Sequence, residues 1–300
     1  MKFATLLKST RSLIKRWTHY RDNAARAERV REYHASGRVP WSKGYADWRE
    51  YEISRTIRDH NILNKIRDGF FPDGYGKGLD ERIAEYGWLF SRMRSGSLNF
   101  LDAGSTFNFS YLLNTPQIEN RSTYIYTYSP ESPSFPERRI SYVYGDLRSL
   151  PFRNEYFDEI ICQSTLEHID MDNSIYGYNL PSKHRGMGRS FEYLNVVYEL
   201  VRVLRPNGQL MITVPFGAFE HHGFFQQFDN LMIERLLQPL CEAGDVHVNF
   251  LLYTPAGWIF STQEGCSGAI SYNPHTGVGK LNDGAAHCRS VCCVAVTRHS

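Results

Sequence analysis

The chain has 300 residues, 42% of them hydrophobic and 14% aromatic, with a formal net charge of +2. That length supports one large core or two small ones, and the near-neutral balance excludes a protein that grips nucleic acid by bulk charge. No run reaches the ~20 apolar residues needed to span a bilayer, and Met1–Tyr20 lacks the apolar stretch and cleavage site of a secretory signal.

In chain order, Met1–Tyr20 reads as a basic amphipathic helix. Phe3, Leu6, Leu7, Leu13, Ile14 and Trp17 recur at helical spacing, with Lys2, Lys8, Arg11, Lys15 and Arg16 between them. Such a helix can lie on anionic lipid; packing against the rest of the protein is its commoner fate. The expected location is therefore the cytoplasm, with peripheral contact at the inner membrane face open to residues 1–20. Residues 1–95 as a whole read as a helical extension, or lid, without strand-like runs. Asp47–Arg67 is amphipathic, Phe70–Gly78 is a turn-rich hinge, and Asp80–Met93 restarts a helix with Asp80 as its N-cap.

From about residue 96 strands alternate with helices. Asn99–Ala103, Tyr124–Tyr128, Ile140–Tyr144 and Glu159–Cys162 are the first four strands. Phe191–Leu204 is a helix ended by Pro206-Asn207-Gly208, and Gln209–Val214 is the next strand. Asp229–Cys241 is a helix, Asp245–Tyr253 and Arg289–Thr297 are strands, and Thr254–Cys288 between them reads as irregular. The alternation predicts an α/β fold with a mostly parallel sheet and helices on both faces. Cys288, Cys292 and Cys293 lie near His287, which invites a zinc reading. Strand alternation sends Cys292 and Cys293 to opposite faces, and no Cys-x-x-Cys pair exists, so reduced thiols and no metal are expected.

Chemistry concentrates where strands end. Asp102-Ala103-Gly104-Ser105-Thr106-Phe107-Asn108 follows the first strand, and Gly145-Asp146-Leu147 through Leu150-Pro151-Phe152 follows the third. Ser164-Thr165-Leu166-Glu167-His168-Ile169 leaves the fourth. Ligands of open α/β sheets lie at the carboxyl ends of strands, so these loops should share a crevice. Together with the Arg-Val-Leu-Arg-Pro-Asn-Gly crossover at 202–208, this series resembles the class I S-adenosylmethionine-dependent methyltransferases of the Leu-Glu-His type. More loosely, it resembles uncharacterised bacterial members from surface-polysaccharide clusters.

The resemblance implies a Rossmann-like seven-stranded sheet with an antiparallel edge over residues 96–300, and S-adenosylmethionine as cofactor. It implies cofactor contacts at Asp102, Gly104, Ser105, Thr106 and Asn108, although Thr106 and Asn108 replace two of the family's usual glycines. Glu131 is the candidate for the ribose hydroxyls, Asp146 for the adenine amino group with Leu147 supplying a backbone N–H, and Ser164 joins them. Tyr75 and Arg82 are candidates for contacts from the extension. His168, His221 and His222 are candidate bases for a hydroxyl acceptor, with Glu167 as orienter. The acceptor implied is a sugar or another small glycan precursor. No Asn/Asp-Pro-Pro-Tyr motif follows the fourth strand, which tells against a nucleic-acid partner. Two rival readings remain, a catalytically inactive binding scaffold and an NAD-dependent Rossmann enzyme, the latter lacking a glycine-rich loop and a Tyr-x-x-x-Lys pair.

Overall fold

Phe100, Leu101, Asp102 and Ala103 are all fully buried on consecutive positions of β1 (Asn99–Ala103), as a strand covered on both faces requires. A computed structural model describes residues 22, 24–177 and 187–300. The amphipathic stretch Met1–Tyr20 lies outside the described residues. Beyond β1 come β2 (Ser122–Thr127), β3 (Ile140–Tyr144), β4 (Phe157–Gln163), β5 (Leu204–Pro215), β6 (Glu220–His221), β7 (Gln226–Gln227), β8 (Gly244–Thr254), β9 (Gly257–Ser261) and β10 (Ser290–Arg298). Their order in the main sheet is β3-β2-β1-β4-β5-β10-β8-β9. The first five are parallel, and β10 runs antiparallel to both β5 and β8. The chain leaves β1 toward β2 and β3 on one side and returns to β4 and β5 on the other. That reversal opens a crevice at the carboxyl ends of β1 and β4.

The sheet has eight strands where seven were expected. The extra strand is β9, paired antiparallel with β8 through a turn at Thr254–Gly257. It lies within the stretch read as irregular because five residues on an edge carry too little alternation beside Pro255 and Gly257. Gly257 is required there. A side chain at its φ of 121° would put Cβ 2.5 Å from the Tyr75 carbonyl oxygen, which accepts the Trp258 N–H at 2.8 Å.

Helices cover both faces. On one, α1 (whose described part covers 24–35), α2 (Tyr45–Arg58), α3 (His60–Arg67) and α4 (Arg82–Arg92) bury Ile57, Ile66, Trp88 and Phe90 against Phe100, Met211, Val291 and Cys293. On the other, α6 (Tyr193–Val203) and α7 (Asn230–Ala243) meet Ile160, Ile212, Cys292 and Val294. Cys292 and Cys293 thus belong to opposite faces, as alternation predicts. The short helices α5 (Ser110–Leu113) and α8 (Gln263–Cys266) complete the set. Asp229 caps α7 by accepting the Met232 N–H at 3.1 Å. Asp80, expected to cap α4, does not; helix α4 begins at Arg82, and the buried Asp80 carboxylate pairs with Arg49 of α2 instead. Among the described residues no helix is long and apolar enough to cross a membrane.

Candidate functional site

The loop after β1 is shaped from beneath. Asp102 is fully buried, and its carboxylate accepts the backbone N–H of Thr106 at 3.0 Å and of Phe107 at 2.8 Å, together with the Thr106 hydroxyl at 3.2 Å. Burial pushes this acid up to about 7, against the pull of those donors. Asp102 is therefore the brace of the loop and sits below the cleft. Phe107 points down among Tyr86, Phe90 and Phe100, and the Tyr86 hydroxyl holds the Thr106 carbonyl. Gly104 makes the turn at φ 123°, where an added Cβ would lie 2.1 Å from Thr165 Oγ1. Gly104→Ala should accordingly displace the loop or Thr165, at the ~1–3 kcal/mol typical of enforced backbone strain. Calorimetry should then show cofactor affinity falling by about ten-fold or more; wild-type affinity would show that this close approach is unnecessary.

A cleft of about 310 Å³ opens above this loop, at the ends of β1 to β4. Gly104, Thr106, Glu131, Asp146, Leu147, Ser164 and His168 line it together, as does Arg82. Glu131 bridges two strands, accepting from Ser105 Oγ at 2.6 Å and from Thr127 Oγ1 at 2.8 Å. Asp146 accepts the Arg148 N–H at 2.9 Å and is clasped by the same residue's guanidinium, with Nη2 to Oδ2 at 2.7 Å. Arg148 also reaches Glu192 at 3.4 Å. Ser164 gives its hydroxyl to Glu85 Oε1 at 2.5 Å and takes a strained φ of 40°. Asn108 is not on the cleft wall. It is buried and occupied, donating to the Pro133 carbonyl at 2.9 Å and accepting from Tyr142 at 3.0 Å. Tyr75 is also elsewhere, in the core, with its hydroxyl on the Ile83 carbonyl.

The Leu-Glu-His segment forms a single 3-10 turn, Leu166–His168. His168 Nδ1 lies 2.7 Å from the Phe224 carbonyl oxygen. A carbonyl only accepts, so Nδ1 carries the hydrogen and Nε2 keeps a free lone pair. Burial holds His168 down at about 4, so the ring is neutral at ordinary pH. Tyr176 meets it edge-on at 5.5 Å and Phe224 stacks at 6.0 Å. Glu167 is buried, its Oε2 has no hydrogen-bond partner, and burial pushes it well above the usual carboxylate range. His221 and His222 sit on the β6–β7 hairpin and do not line the cleft. His222 stacks on Phe225 at 4.3 Å, and burial holds it down at about 4.

Two contributors escape sequence reading. Glu85 of α4 is fully buried beneath the cleft and gathers Ser164, Thr213 at 2.6 Å, Gln163 at 3.0 Å and Arg82 at 3.3 Å. Arg148 is the other; only its position two residues after Asp146 hinted at the clasp.

Residues 128–212 match the family model described as a methyltransferase domain. No curated protein matches the sequence. Among solved structures, the YcgJ protein from Bacillus subtilis is 12% identical with a TM-score of 0.42, covering 69% of this chain and 94% of its own. A 1,6-didemethyltoxoflavin-N1-methyltransferase from Burkholderia thailandensis, with bound 1,6-didemethyltoxoflavin and S-adenosylhomocysteine, is 13% identical with a TM-score of 0.41. It covers 94% of this chain and 90% of its own. The N-methyltransferase NodS from Bradyrhizobium japonicum, in complex with S-adenosylhomocysteine, is 11% identical with a TM-score of 0.36, over 68% and 80% of the two chains.

Proposed function

We propose that this chain is an S-adenosylmethionine-dependent methyltransferase of the class I fold and that it methylates an oxygen of a small acceptor, a sugar hydroxyl of a glycan precursor. The observation that carries the reading is the single cleft shared by Gly104, Glu131, Asp146 and His168 at the switch point of the sheet. In this reading Glu131 accepts from the ribose hydroxyls and Asp146 from the adenine amino group, with the Leu147 backbone beside it; all three line the cleft. Arg82, held from behind by Glu85, offers a cation for the carboxylate of the methionine moiety.

When bound, the cofactor supplies an electrophilic sulfonium methyl, whose carbon–sulfur bond breaks as the acceptor oxygen bonds to carbon. The protein's task is alignment and proton removal. His168 Nε2 receives the hydroxyl proton, and the fixed Nδ1 hydrogen bond keeps that nitrogen available. The ring of Tyr176, on the cleft wall beside His168, suits the apolar C–H face of a sugar.

His168→Gln should lower kcat/KM by about 10²–10⁴-fold, the span of general-base contributions, with cofactor affinity kept within about two-fold. With a folded value near 4, His168 stays unprotonated from neutrality down to about pH 5, and the rate should fall only as pH approaches 4. An acid limb centred near 6.5 would remove His168 from this role. The acceptor class is tested by offering nucleotide sugars and lipid-linked glycans with methyl-labelled cofactor; label found only on nitrogen acceptors overturns it.

A further inference from the structure

Glu81, just before α4, and His287-Cys288, just before β10, are separated by some two hundred residues yet brought together in the fold. A carboxylate oxygen of Glu81, a ring nitrogen of His287 and Cys288 Sγ all lie within 4.8 Å of one another. We propose that these three side chains hold one divalent transition-metal ion, zinc by the mixed sulfur, nitrogen and oxygen donor set.

Two features support a built site. Glu81 and Cys288 are 6% and 4% exposed, so the donors are shielded from bulk water. His287 Nδ1 lies 2.7 Å from the Tyr272 carbonyl oxygen, which fixes the hydrogen on Nδ1 and leaves Nε2 with the lone pair. That outer hydrogen bond is the usual orienting device of a metal-bound histidine. Zinc takes such donors at ~2.0–2.3 Å, so atoms at the outer limit of the observed spacing need to move inward by roughly 0.5–0.8 Å, within reach of side-chain rotation.

The place matters for the reaction. Phe225 packs on both His287, at 5.1 Å, and His168, at 6.3 Å, so the metal lies behind the aromatic wall of the acceptor side. Three protein ligands leave the fourth tetrahedral position to a non-protein ligand such as water.

The test is cobalt titration of the full, chelator-stripped chain. One Co²⁺ per chain is expected, with visible ligand-field bands and a near-ultraviolet thiolate charge-transfer band, both removed by Zn²⁺. Cys288→Ser should abolish the charge-transfer band, while Cys292→Ser, within β10 and outside the Glu81–His287–Cys288 cluster, should keep it. Glu81→Gln should weaken Zn²⁺ binding by ten-fold or more against a chromogenic chelator, which decides the matter even if Cys288→Ser fails to fold. Absence of a thiolate band, its survival in Cys288→Ser, or unchanged affinity in Glu81→Gln overturns the proposal.

Discussion

Glu85→Ala should unfold at a temperature roughly 6–20 °C below the wild-type chain and bind cofactor poorly even where it remains folded. The carboxylate is fully buried and serves four partners at once: Arg82, Gln163, Ser164 and Thr213. Removing one member of a buried ion pair leaves an uncompensated charge at a cost of about 3–5 kcal/mol. The expected shift is that cost read through the ~2–4 °C per kcal/mol of a large domain. Arg82 would be released at the same time, so the loss of binding should exceed what the lower stability explains. Glu85→Gln keeps the shape and one acceptor oxygen, so it should fall between the two. Thermal melts with and without cofactor measure both effects. A Glu85→Ala melt at the wild-type temperature would show that the four contacts are not structural.

How far the fold was legible follows from what each element needs from distant residues. The strands β1, β4 and β5 carry short buried apolar runs, Phe100-Leu101, Ile160-Ile161-Cys162 and Leu210-Met211-Ile212, and those runs read directly. The edge strand β9 is held by pairing with β8 and by Tyr75 from far upstream, neither of which leaves a mark in five residues. The same division runs through the candidate site. Glycine and acid at strand exits are local signals, and Gly104 and Asp146 do meet on one cleft. Asp102 carried the same signal yet spends its carboxylate on its own loop, because the Thr106 and Phe107 amides curl back onto it. Glu85 was invisible for the opposite reason. A glutamate in an amphipathic helix ordinarily faces water, and only the packing of α4 over the ends of β4 and β5 turns it inward. Likewise, cysteine spacing excluded a chelating pair within the C-terminal segment. It could not reveal that Glu81 folds against that segment.

Asp146→Ala should weaken cofactor binding by about ten- to a hundred-fold while leaving the melting temperature nearly unchanged. A hydrogen bond to a charged group is worth about 1.5–3 kcal/mol, which sets that range. The side chain is 34% exposed and is clasped by Arg148 of the same loop, at the surface of the cleft and outside the core. The guanidinium clasp also fixes which carboxylate edge faces the cleft, since Arg148 engages both oxygens from one side. Asp102→Ala is the informative contrast. It strands the buried Phe107 amide and the half-buried Thr106 amide and hydroxyl, so stability and cofactor affinity should fall together, by about 2–4 kcal/mol in the melt. Two acids, at the ends of β1 and β3, would then separate cleanly, one acting on the ligand and one on the fold. Full cofactor affinity in Asp146→Ala, measured by calorimetry, would move the adenine away from β3. The cleft would then have to be read from Arg82 and Glu131 outward.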